Sequence, residues 1–448
     1  MAMPVAGIAP DGQLVLERLR ELPGGPQLIE LAAARDDVEL VGGAVRDLLL
    51  DPKATPHELD VVVADDAAQF AHDLAQKLHA RASHGSVSES PVEGQSRAEP
   101  FEMTLHERFR TARVAWPAGK IDVATRRSER YPAPGALPNV HDGTREEDVQ
   151  RRDFTVNTLS VSLGRPAPGQ LDGAPRAIDD LRNGILRVLH EQSFLDDPTR
   201  LMRLARYSAR LGFALEQRTA QLAEQAIADG ALDTVSPARI GAELRLALAE
   251  PDPVAALVAL QSFGVLPALH EAIVFDPSLV RTALGVLPEC DDASPHVLLT
   301  ASLLLPRHDY DATDYQTRLR VLLDEWEFPA VERERTVRSV LLAPRIAERL
   351  GSAQHASQIY DVAHQEPLEA VALAAALADD RGQSAAADAA RRWLADLRHV
   401  QLEIGGDDLL AAGVVAGPEL GRRLRQALVR KLDDDLDGRE AELRAALD

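Results

Sequence analysis

Cysteine and aromatic residues are both scarce in this chain. Cys290 is the single cysteine among 448 residues, so the chain can form neither an intramolecular disulfide nor a zinc site built from cysteines. This cysteine usage fits a reducing compartment, and we expect a cytoplasmic protein. Aromatic residues make up 4% of the sequence, so base stacking on many exposed rings is not the expected mode of contact with a nucleic acid.

Long apolar runs are missing as well. No stretch approaches the roughly 18 consecutive apolar residues that a membrane-spanning helix needs. The first residues, MAMPVAGIAPDGQL, lack a basic segment followed by an apolar one. We therefore expect no membrane span and no secretory signal. The apolar fraction of 45% and the charged fraction of 27% are ordinary for a globular protein, and the length suggests about two to four domains.

The chain also lacks a basic surplus, because its formal net charge is −22. Such a charge argues against broad nonspecific adhesion to nucleic acid. Arginine is nevertheless dense in two stretches, 126–152 and 200–210. A local basic groove is therefore compatible with the negative net charge of the chain. The acidic surplus lies largely elsewhere, notably in Asp433, Asp434 and Asp435.

Strand-like segments come early in the chain, and helical periodicity dominates later. VELVG (38–42), LDVVVAD (59–65) and the segments 109–116 and 120–125 are typical of strands. From Phe194 onward, apolar residues recur at three- and four-residue spacing. This order predicts an α+β fold whose second half is all-α. A polar stretch rich in Gly, Ser and Pro, at 82–100, is expected to be a flexible insertion.

A glycine pair and two acids lie close together in VGGAVRDLLLDPKATPHELDVVV. Gly42 and Gly43 allow the backbone to approach a triphosphate closely, since no Cβ intervenes. Arg46 can offer a planar fork to phosphate oxygens. Glu58 and Asp60 are two apart on a strand, so both side chains leave one face and can share a hard cation such as Mg²⁺. Each feature alone also fits an ordinary turn or a solvated acidic pair, but the ordered set favours nucleotidyl transfer.

A third acid lies on another apolar strand. Asp122 in KIDVAT would complete the carboxylates of a two-cation site, in which one ion activates the attacking hydroxyl and the other steadies the pyrophosphate. A solvated acid at a strand edge is the alternative.

The segment RRDFTVN, at 151–157, concentrates charged and amide groups. Arginines such as Arg152 can clamp phosphate, while Asp153 and Asn157 can hydrogen-bond a ribose. A solvated charged turn before a strand is the alternative interpretation of this segment.

A helix rich in arginine is predicted in LDDPTRLMRLARYSARLGF. Pro198 suits the first helical position, which would make Asp197 an N-cap, a purely structural role. Arg200 lies three residues later on the same helical face. An Asp acceptor and an Arg donor placed together can match the hydrogen-bonding edge of a base and select a nucleotide without a template. Arg203 and Arg206 are candidates for nucleotide contacts or, alternatively, are solvated or structural.

These motifs occur in the order of a known family. The chain resembles the class II tRNA nucleotidyltransferases, the CCA-adding enzymes, together with the related bacterial poly(A) polymerases. The matching segments lie between about residues 36 and 265 and are GGAVRD, HELDVVV, IDVATRRSERYPAPGALP, RRDFTVN, DDPTRLMRLARYSARLGF and SPARIGAEL. The resemblance implies a polymerase-β-like catalytic head at 1–189, a small mixed sheet with helices. It also implies a helical neck with a nucleobase-selecting helix at 190–265, and a helical body and tail at 266–448 that would bind tRNA.

The resemblance also implies an activity. It is the template-independent addition of CMP and AMP, from CTP and ATP, to the 3′ end of tRNA, with release of pyrophosphate by two-metal-ion phosphoryl transfer. Glu58, Asp60 and Asp122 would be the catalytic acids and would bind Mg²⁺. The implied nucleotide-binding positions are Gly42, Gly43, Arg46, Arg152, Asp153, Asn157, Asp197, Arg200, Arg203 and Arg206. The alternatives are a poly(A) polymerase, an enzyme that adds only CC or only A, and an RNA-binding protein with weakened catalysis. A nucleotidyltransferase that uses the same head on a drug or protein hydroxyl is a further alternative, which the long helical half and the base-reading pair of Asp197 and Arg200 disfavour. The sequence does not indicate an oligomeric state.

Several features depart from the family pattern, among them Asp196, which stands where the EDxxR motif usually begins with Glu. Glu58 stands where the first acid of the strand is usually Asp, and its extra methylene could alter the geometry of a metal site. Arg110 takes the place of the usual glycine in the FGT segment. The segment 170–184 lacks the usual glycine pair, which weakens the expectation of nucleotide switching at a head-to-neck hinge.

Overall fold

The computed structural model describes residues 10–56, 58–84, 102–106, 110–270, 273–306, 311–434 and 436–448. These residues belong to two compact units, Met1–Val235 and Ser236–Asp448. None of the described helices combines the length and the apolar character that crossing a membrane requires. The insertion expected at 82–100 lies mostly outside the described residues, although its first three residues end a helix.

The first unit is built around a mixed sheet. Its strands are β1 (Val38–Val41), β2 (Glu58–Val63), β3 (Glu102–His106), β4 (Thr111–Trp116), β5 (Gly119–Thr125), β6 (Arg127–Arg130), β7 (Asn139–Asp142), β8 (Ser160–Ser162), β9 (Leu171–Asp172), β10 (Ile185–Leu186) and β11 (Ala214–Leu215). Among the described residues, seven strands form the main sheet in the order β3-β4-β5-β2-β1-β8-β9, while β6 pairs with β7 and β10 with β11.

The first unit also contains helices. They are α1 (Gly12–Leu19), α2 (Gly25–Ala33), α3 (Gly43–Leu50), α4 (Ala67–His84), α5 (Arg145–Gln150), α6 (Ala177–Asn183), α7 (Ser193–Asp196), α8 (Thr199–Leu211) and α9 (Gln217–Ala228). Of these helices, α1, α3 and α4 contact the main sheet. A short 3₁₀ turn at Thr155–Asn157 follows α5.

The register of the central strands aligns polar residues on one face of the sheet. β2 runs parallel to β5 with Asp60 opposite Asp122, and β4 runs antiparallel to β5 with Arg113 opposite Asp122. Side chains directly opposite each other point to the same face. Arg113, Asp122 and Asp60 therefore form a row across three neighbouring strands.

The other face of the same strands is apolar. Leu59, Val61, Ile121 and Val123 are at most 3% exposed, and α3 and α4 pack against the sheet. Full burial of one such aliphatic side chain contributes about 1.5–3 kcal/mol. A shift of one residue in register would exchange the two faces, so this apolar face fixes the side on which the acids lie.

A tight turn joins β1 to α3. Gly42 has a φ of 74° and a ψ of −135°, a conformation open to glycine and strained for residues that carry a Cβ. Its N–H donates to the carbonyl of Leu159 at 2.9 Å, and α3 then buries Val45, Leu48 and Leu49. The strand predicted from VELVG is confirmed, and the glycine turn leads directly from it into a short helix.

The arginine-rich helix α8 begins one residue later than expected. Pro198 is its N-cap residue, and the first helical residue is Thr199. Asp197 still serves the start of the helix, because its carboxylate accepts hydrogen bonds from the N–H and the hydroxyl of Thr199, at 3.2 and 2.6 Å. Gly212, with a φ of 65°, ends the helix in the left-handed region.

The half predicted to be all-α from about residue 190 is mostly helical, but it includes the short strand β11. The second unit contains helices and connecting loops but no strand among its described residues, and the α+β class is confirmed. Its helices are α10 (Pro237–Leu248), α11 (Pro253–Ser262), α12 (Val265–Leu269), α13 (Pro277–Val286), α14 (Pro295–Leu303), α15 (Ala312–Glu325), α16 (Ala330–Gly351), α17 (Ala356–Ala363), α18 (Leu368–Asp380), α19 (Ser384–Ala395), α20 (Gly406–Ala411), α21 (Pro418–Asp433) and α22 (Arg439–Leu447). The boundary between the two compact units falls inside the segment predicted as a neck, and the three-part division of the chain stays a prediction.

Helix α18 forms the centre of the second unit. It is buried from Glu369 to Ala378 and packs against α13, α14, α16 and α19. Its many alanines leave little side-chain bulk between neighbouring helix axes, so the helices approach closely. A separate small cluster, which includes Leu409, Ala427 and Ala446, holds α20, α21 and α22 together.

Candidate active site

Three carboxylates converge on the polar face of the sheet. Glu58 and Asp60 come from β2, and Asp122 comes from β5 directly opposite Asp60. One carboxylate oxygen from each residue lies within 4.8 Å of the other two. Oxygen donors of this kind and spacing fit a hard divalent cation. The structure thus brings together the three acids that the sequence singled out, which we call the acidic triad.

Two cationic side chains from the neighbouring strands contact the acidic triad. The Nε and Nη2 atoms of Arg113 donate to the two carboxylate oxygens of Asp122, each at 2.7 Å. The Nζ atom of Lys120 lies 2.8 Å from Glu58, and Nη2 of Arg113 lies 3.7 Å from the same carboxylate. The acids are therefore held by protein cations that are themselves partly exposed.

The surroundings of the acidic triad shift its pKa values in different directions. Burial raises the pKa of Glu58, and a hydrogen bond with Asp122 raises it further. Burial also raises the pKa of Asp60, against the opposing charge of Arg152. Burial would raise the pKa of Asp122 too, but the hydrogen bonds and charge of Arg113 hold that pKa below its ordinary value. Positive charge is what keeps crowded carboxylates ionised, and a divalent cation would supply it.

The glycine turn meets the acidic triad at Asp60. A Cβ added at Gly42 would lie 3.5 Å from Nη1 of Arg152 and 3.7 Å from Oδ2 of Asp60. A Cβ at Gly43 would lie 3.6 Å from Nη2 of Arg46. The missing Cβ atoms therefore leave the backbone open beside a carboxylate and two guanidinium groups, as the predicted approach of a triphosphate requires.

Arg46 is buried and already engaged by protein groups. It is 2% exposed, its Nη1 donates to Oδ1 of Asn157, and its Nε donates to Asp47 at 2.8 Å. Its guanidinium also lies over the ring of Tyr207, 5.5 Å from the centroid. Its contacts are those of a residue that orders the turn, while direct phosphate contact by Arg46 stays a prediction.

The hydrogen bonds of Arg46 continue towards α8. Nδ2 of Asn157 donates to Oδ1 of Asp153 at 3.0 Å, and the second oxygen of Asp153 lies 2.7 Å from Nη2 of Arg203. The charge of Arg203 and the hydrogen bond from Asn157 outweigh burial and hold the pKa of Asp153 low. The structure therefore joins four predicted nucleotide-binding residues into one network between α3 and α8.

Asp148 positions the two arginines of the RRDFTVN segment. This buried carboxylate accepts hydrogen bonds from Nε and Nη2 of Arg151, at 3.0 and 2.8 Å, and from Nη2 of Arg152 at 3.2 Å. Burial alone would raise the pKa of Asp148, but the two arginines hold it below its ordinary value. Asp148 lies on α5, whose start is fixed by a capping box between Thr144 and Glu147.

Asp197 lies just before the N-cap of α8, and Arg200 lies in the first turn of that helix. Arg200 is 3% exposed, and its guanidinium donates to Oγ of Ser193 and to the carbonyl of Arg151, both at 2.6 Å. Arg206 is also buried, with its guanidinium over the ring of Tyr207. Arg200 is thus directed towards protein groups, and the base-selecting role of Asp197 and Arg200 stays a prediction.

A cavity of about 310 Å³ opens beside the acids. Its charged lining residues are Asp60, Asp122, Arg113, Arg127, Arg151 and Arg152. Acids at one side and arginines around them suit a ligand that carries both phosphates and bound cations.

Sequence reasoning missed Arg113, Lys120, Arg127 and Asp148. The alternation in TARVAW does place Arg113 on one face of its strand. Its partner becomes visible only from the antiparallel register with β5. Asp148 gave no local signal, because it meets its arginines through the packing of α5.

The fold and the acidic triad define a nucleotidyltransferase head, and comparison with known proteins agrees. The model of the Poly A polymerase head domain matches residues 92–187. The Multifunctional CCA protein of Xanthomonas axonopodis pv. citri is 30% identical over 433 residues, which cover 88% of this chain and 97% of that protein. A structure of the Thermotoga maritima CCA-adding enzyme complexed with tRNA superposes with a TM-score of 0.71 and 25% identity, and the match covers 97% of both chains.

The chain belongs to the tRNA nucleotidyltransferase family. Its head is therefore polymerase-β-like, as the resemblance implied. The A-adding tRNA nucleotidyltransferase of Geobacter sulfurreducens is 30% identical over 445 residues, which cover 95% of this chain and 47% of that protein. The chain thus spans about half the length of this and two other curated A-adding relatives.

Proposed function

We propose that this protein is a template-independent RNA nucleotidyltransferase that adds CMP and AMP, from CTP and ATP, to the 3′ end of tRNA. The observation that carries the proposal is the acidic triad on one sheet face, beside a cavity lined by arginines. In the reaction, the 3′-oxygen of the RNA bonds to the α-phosphorus of the nucleotide. The bond from that phosphorus to the bridging oxygen breaks, and pyrophosphate leaves.

Glu58, Asp60 and Asp122 would hold Mg²⁺ in this enzyme. Three carboxylate oxygens without nitrogen or sulfur donors are the chemistry that this hard cation prefers. When bound, Mg²⁺ would lower the pKa of the attacking hydroxyl and neutralise charge on the phosphates. Glu58 reaches the site although its side chain is one methylene longer than the usual Asp, because its oxygen lies within the same 4.8 Å group.

The arginines beside the acidic triad would bind the triphosphate. Arg151 and Arg152 line the cavity, and Asp148 fixes the direction of both guanidinium groups. Oriented forks of this kind match phosphate oxygens bidentately. Gly42 leaves room for phosphate beside Asp60. The network of hydrogen bonds and an ion pair from Arg46 to Arg203 links the glycine turn to α8.

Base selection and RNA binding complete the proposal. Asp197 and Arg200 would choose cytosine or adenine at the start of α8. The neck at 190–265 would carry this helix, and the body and tail at 266–448 would hold tRNA, mainly through its backbone and shape. The tRNA-bound relative and the relatives named after CC, A and CCA addition support this assignment. Cytoplasmic location stays a prediction.

Product length on trimmed tRNA tests the proposal. The full chain is incubated with Mg²⁺ and tRNA that lacks its last three nucleotides, with labelled CTP alone, ATP alone, or both. We expect two added residues with CTP, and three with both nucleotides. Products that end after CC even when ATP is present would indicate a CC-adding enzyme. Addition of A only to tRNA that already ends in CC would indicate an A-adding enzyme, and long adenylate ladders a poly(A) polymerase. The same reactions are run with tRNA that already ends in CC, and absence of any product on both tRNAs would overturn the assignment.

A further inference from the structure

Arg113 is hydrogen-bonded to Asp122, one of the three carboxylates expected to bind the metal ion. Both of its hydrogen bonds, each 2.7 Å long, go to the two carboxylate oxygens of Asp122. It reaches Asp122 because the antiparallel register of β4 and β5 sets the two residues directly opposite each other. A bidentate fork of this kind uses both oxygens of the carboxylate, one of which belongs to the group that fits a cation.

The ion pair between Arg113 and Asp122 is exposed enough for a divalent cation to displace Arg113. The side chain of Arg113 is 44% exposed and that of Asp122 is 24% exposed, so solvent reaches the pair. Exposed ion pairs are weak, whereas a divalent cation can bind all three acids of the triad at once. A cation that takes Asp122 must compete with Arg113 for the same oxygens.

The cavity that Arg113 lines would also hold its second partner, the triphosphate of the nucleotide. Arg113 lines that cavity together with Arg127, Arg151 and Arg152. The other two triad acids remain close by, with Glu58 3.7 Å from Nη2 of Arg113. A guanidinium released from Asp122 therefore stays in the space where a triphosphate would lie, and phosphate oxygens accept the same bidentate fork as a carboxylate.

We propose that Arg113 is the internal counter-ion of the acidic triad, which holds Asp122 until a divalent cation binds and then transfers its hydrogen bonds to the nucleotide triphosphate. This role rests on the proposed function. It gives Arg113 opposite effects on the two ligands, because it opposes the free cation and favours the nucleotide. An arginine that only braces β4 against β5 would not act in opposite directions on the two.

Direct binding of Mn²⁺ tests the first half of the proposal. The probe is the electron paramagnetic resonance signal of free Mn²⁺, titrated with the full chain in the absence of nucleotide. We expect Arg113→Gln to bind Mn²⁺ about three- to fivefold more tightly than the native protein, the range for loss of one partly exposed ion pair. Arg110→Gln is the charge-matched control, since Arg110 pairs with Asp142 and not with the triad, and its Mn²⁺ affinity should stay at the native value.

Binding of ATP in saturating Mn²⁺ tests the second half. Arg113→Gln should weaken ATP by about five- to tenfold, since one charged hydrogen-bonding group is lost from the phosphates. Arg113→Lys keeps the positive charge but loses the two-pronged hydrogen bonding of the guanidinium group. Its ATP affinity should lie between those of the native protein and Arg113→Gln. Equal or weaker Mn²⁺ binding by Arg113→Gln, or unchanged ATP binding, would overturn the proposal.

Asp60→Asn separates this proposal from the proposed function. If the acidic triad is the metal site, Asp60→Asn loses most of its Mn²⁺ binding, whatever Arg113 does. Mn²⁺ binding that is unaffected by Asp60→Asn would overturn the metal site of the proposed function. Normal loss in Asp60→Asn together with unchanged Mn²⁺ affinity in Arg113→Gln would overturn the role of Arg113 alone.

Discussion

The two compact units bury charge to different extents. In the first unit, buried charged residues such as Arg46, Asp148 and Asp153 belong to hydrogen-bonded networks beside the acidic triad. In the second unit, α18 is buried from Glu369 to Ala378, and Glu369 is the only charged residue of that stretch. Buried ion pairs add little net stability compared with apolar residues of similar volume. The buried charged residues of the first unit are therefore best explained by their role in positioning the side chains of the candidate active site.

Glu39 illustrates how such positions are fixed. It is a buried residue of β1 that accepts hydrogen bonds from Arg126 at 3.1 Å and from Arg145 at 2.9 Å. Arg145 also contacts Asp172 at 2.7 Å, so the first residue of α5 is tied to two strands of the sheet. Because α5 carries Asp148, this anchoring extends to the arginines that line the cavity. In the second unit, the buried Glu369 accepts hydrogen bonds from the N–H of Ser294 and from Arg335, while the remaining buried residues of α18 are apolar.

The largest effect is expected on catalytic activity when one carboxylate of the acidic triad is replaced by an amide. Asp60→Asn should lower AMP incorporation into trimmed tRNA by about 10³-fold or more, because the lost carboxylate is worth several kcal/mol of transition-state stabilisation through the cation. Its thermal unfolding midpoint should stay within a few degrees of the native value.

Labelled-ATP incorporation and circular dichroism melting measure these two effects. Asp65→Asn, a carboxyl change two residues beyond the end of β2, is the control and should retain native turnover. Substantial incorporation by Asp60→Asn would contradict the role given to the acidic triad.

The converse change removes apolar packing from the second unit. Leu373 is fully buried in α18, and Leu373→Ala should lower the free energy of unfolding by about 2–5 kcal/mol because a cavity remains. Urea unfolding measures the loss, and ATP binding by the folded protein should stay native. Val331→Ala, at a position 72% exposed on α16, should change stability by less than about 0.5 kcal/mol. A Leu373→Ala protein of native stability would show that apolar packing around α18 does not stabilise the second unit.

Sequence patterns predicted the elements whose cause is local. Alternation along β2 placed Glu58 and Asp60 on one face, and Gly42 marked a turn that requires a positive φ. The β6–β7 hairpin was missed because RSER and NVHD have no apolar alternation. The burial of Arg46 and Arg200 was missed because it depends on partners distant in the chain, such as Asn157 for Arg46. The local sequence pattern therefore identified the carboxylates of the acidic triad. Tertiary packing determines which arginines contact them, and the sequence pattern does not show this.

An intermediate effect is expected at Asp148, which positions arginines without touching the acidic triad. Asp148→Asn should raise the KM for ATP and lower stability at neutral pH by about 1–3 kcal/mol, since hydrogen bonds to two charged groups are weakened. The pKa of Asp148 is lower in the folded protein than its ordinary value of 3.8. Its contribution is therefore fully present above that value and is lost as the pH falls through the lower, folded pKa.

Urea unfolding at several pH values measures this contribution. The stability difference between the native protein and Asp148→Asn should be constant from neutral pH down to about pH 5, and should shrink below about pH 4. A difference that does not change with pH would show that the carboxylate of Asp148 is not stabilised by its arginines.

One substitution, Gly to Ala, made in both units should change stability in opposite directions, and, apart from the controls, the change in the second unit should be the smallest of all. Gly42→Ala places a Cβ on a residue with a φ of 74°, at ordinary contact distance from Arg152 and Asp60. The strained φ should lower stability by about 1–3 kcal/mol, and the added methyl group should weaken ATP binding. Gly421 lies inside α21 with no atom within 4 Å of an added Cβ. Gly421→Ala should therefore raise stability by about 0.5–1 kcal/mol, because alanine favours the helix. Urea unfolding measures both changes, and a stabilised Gly42→Ala protein with native ATP affinity would contradict the idea that the glycine turn is kept open for phosphate.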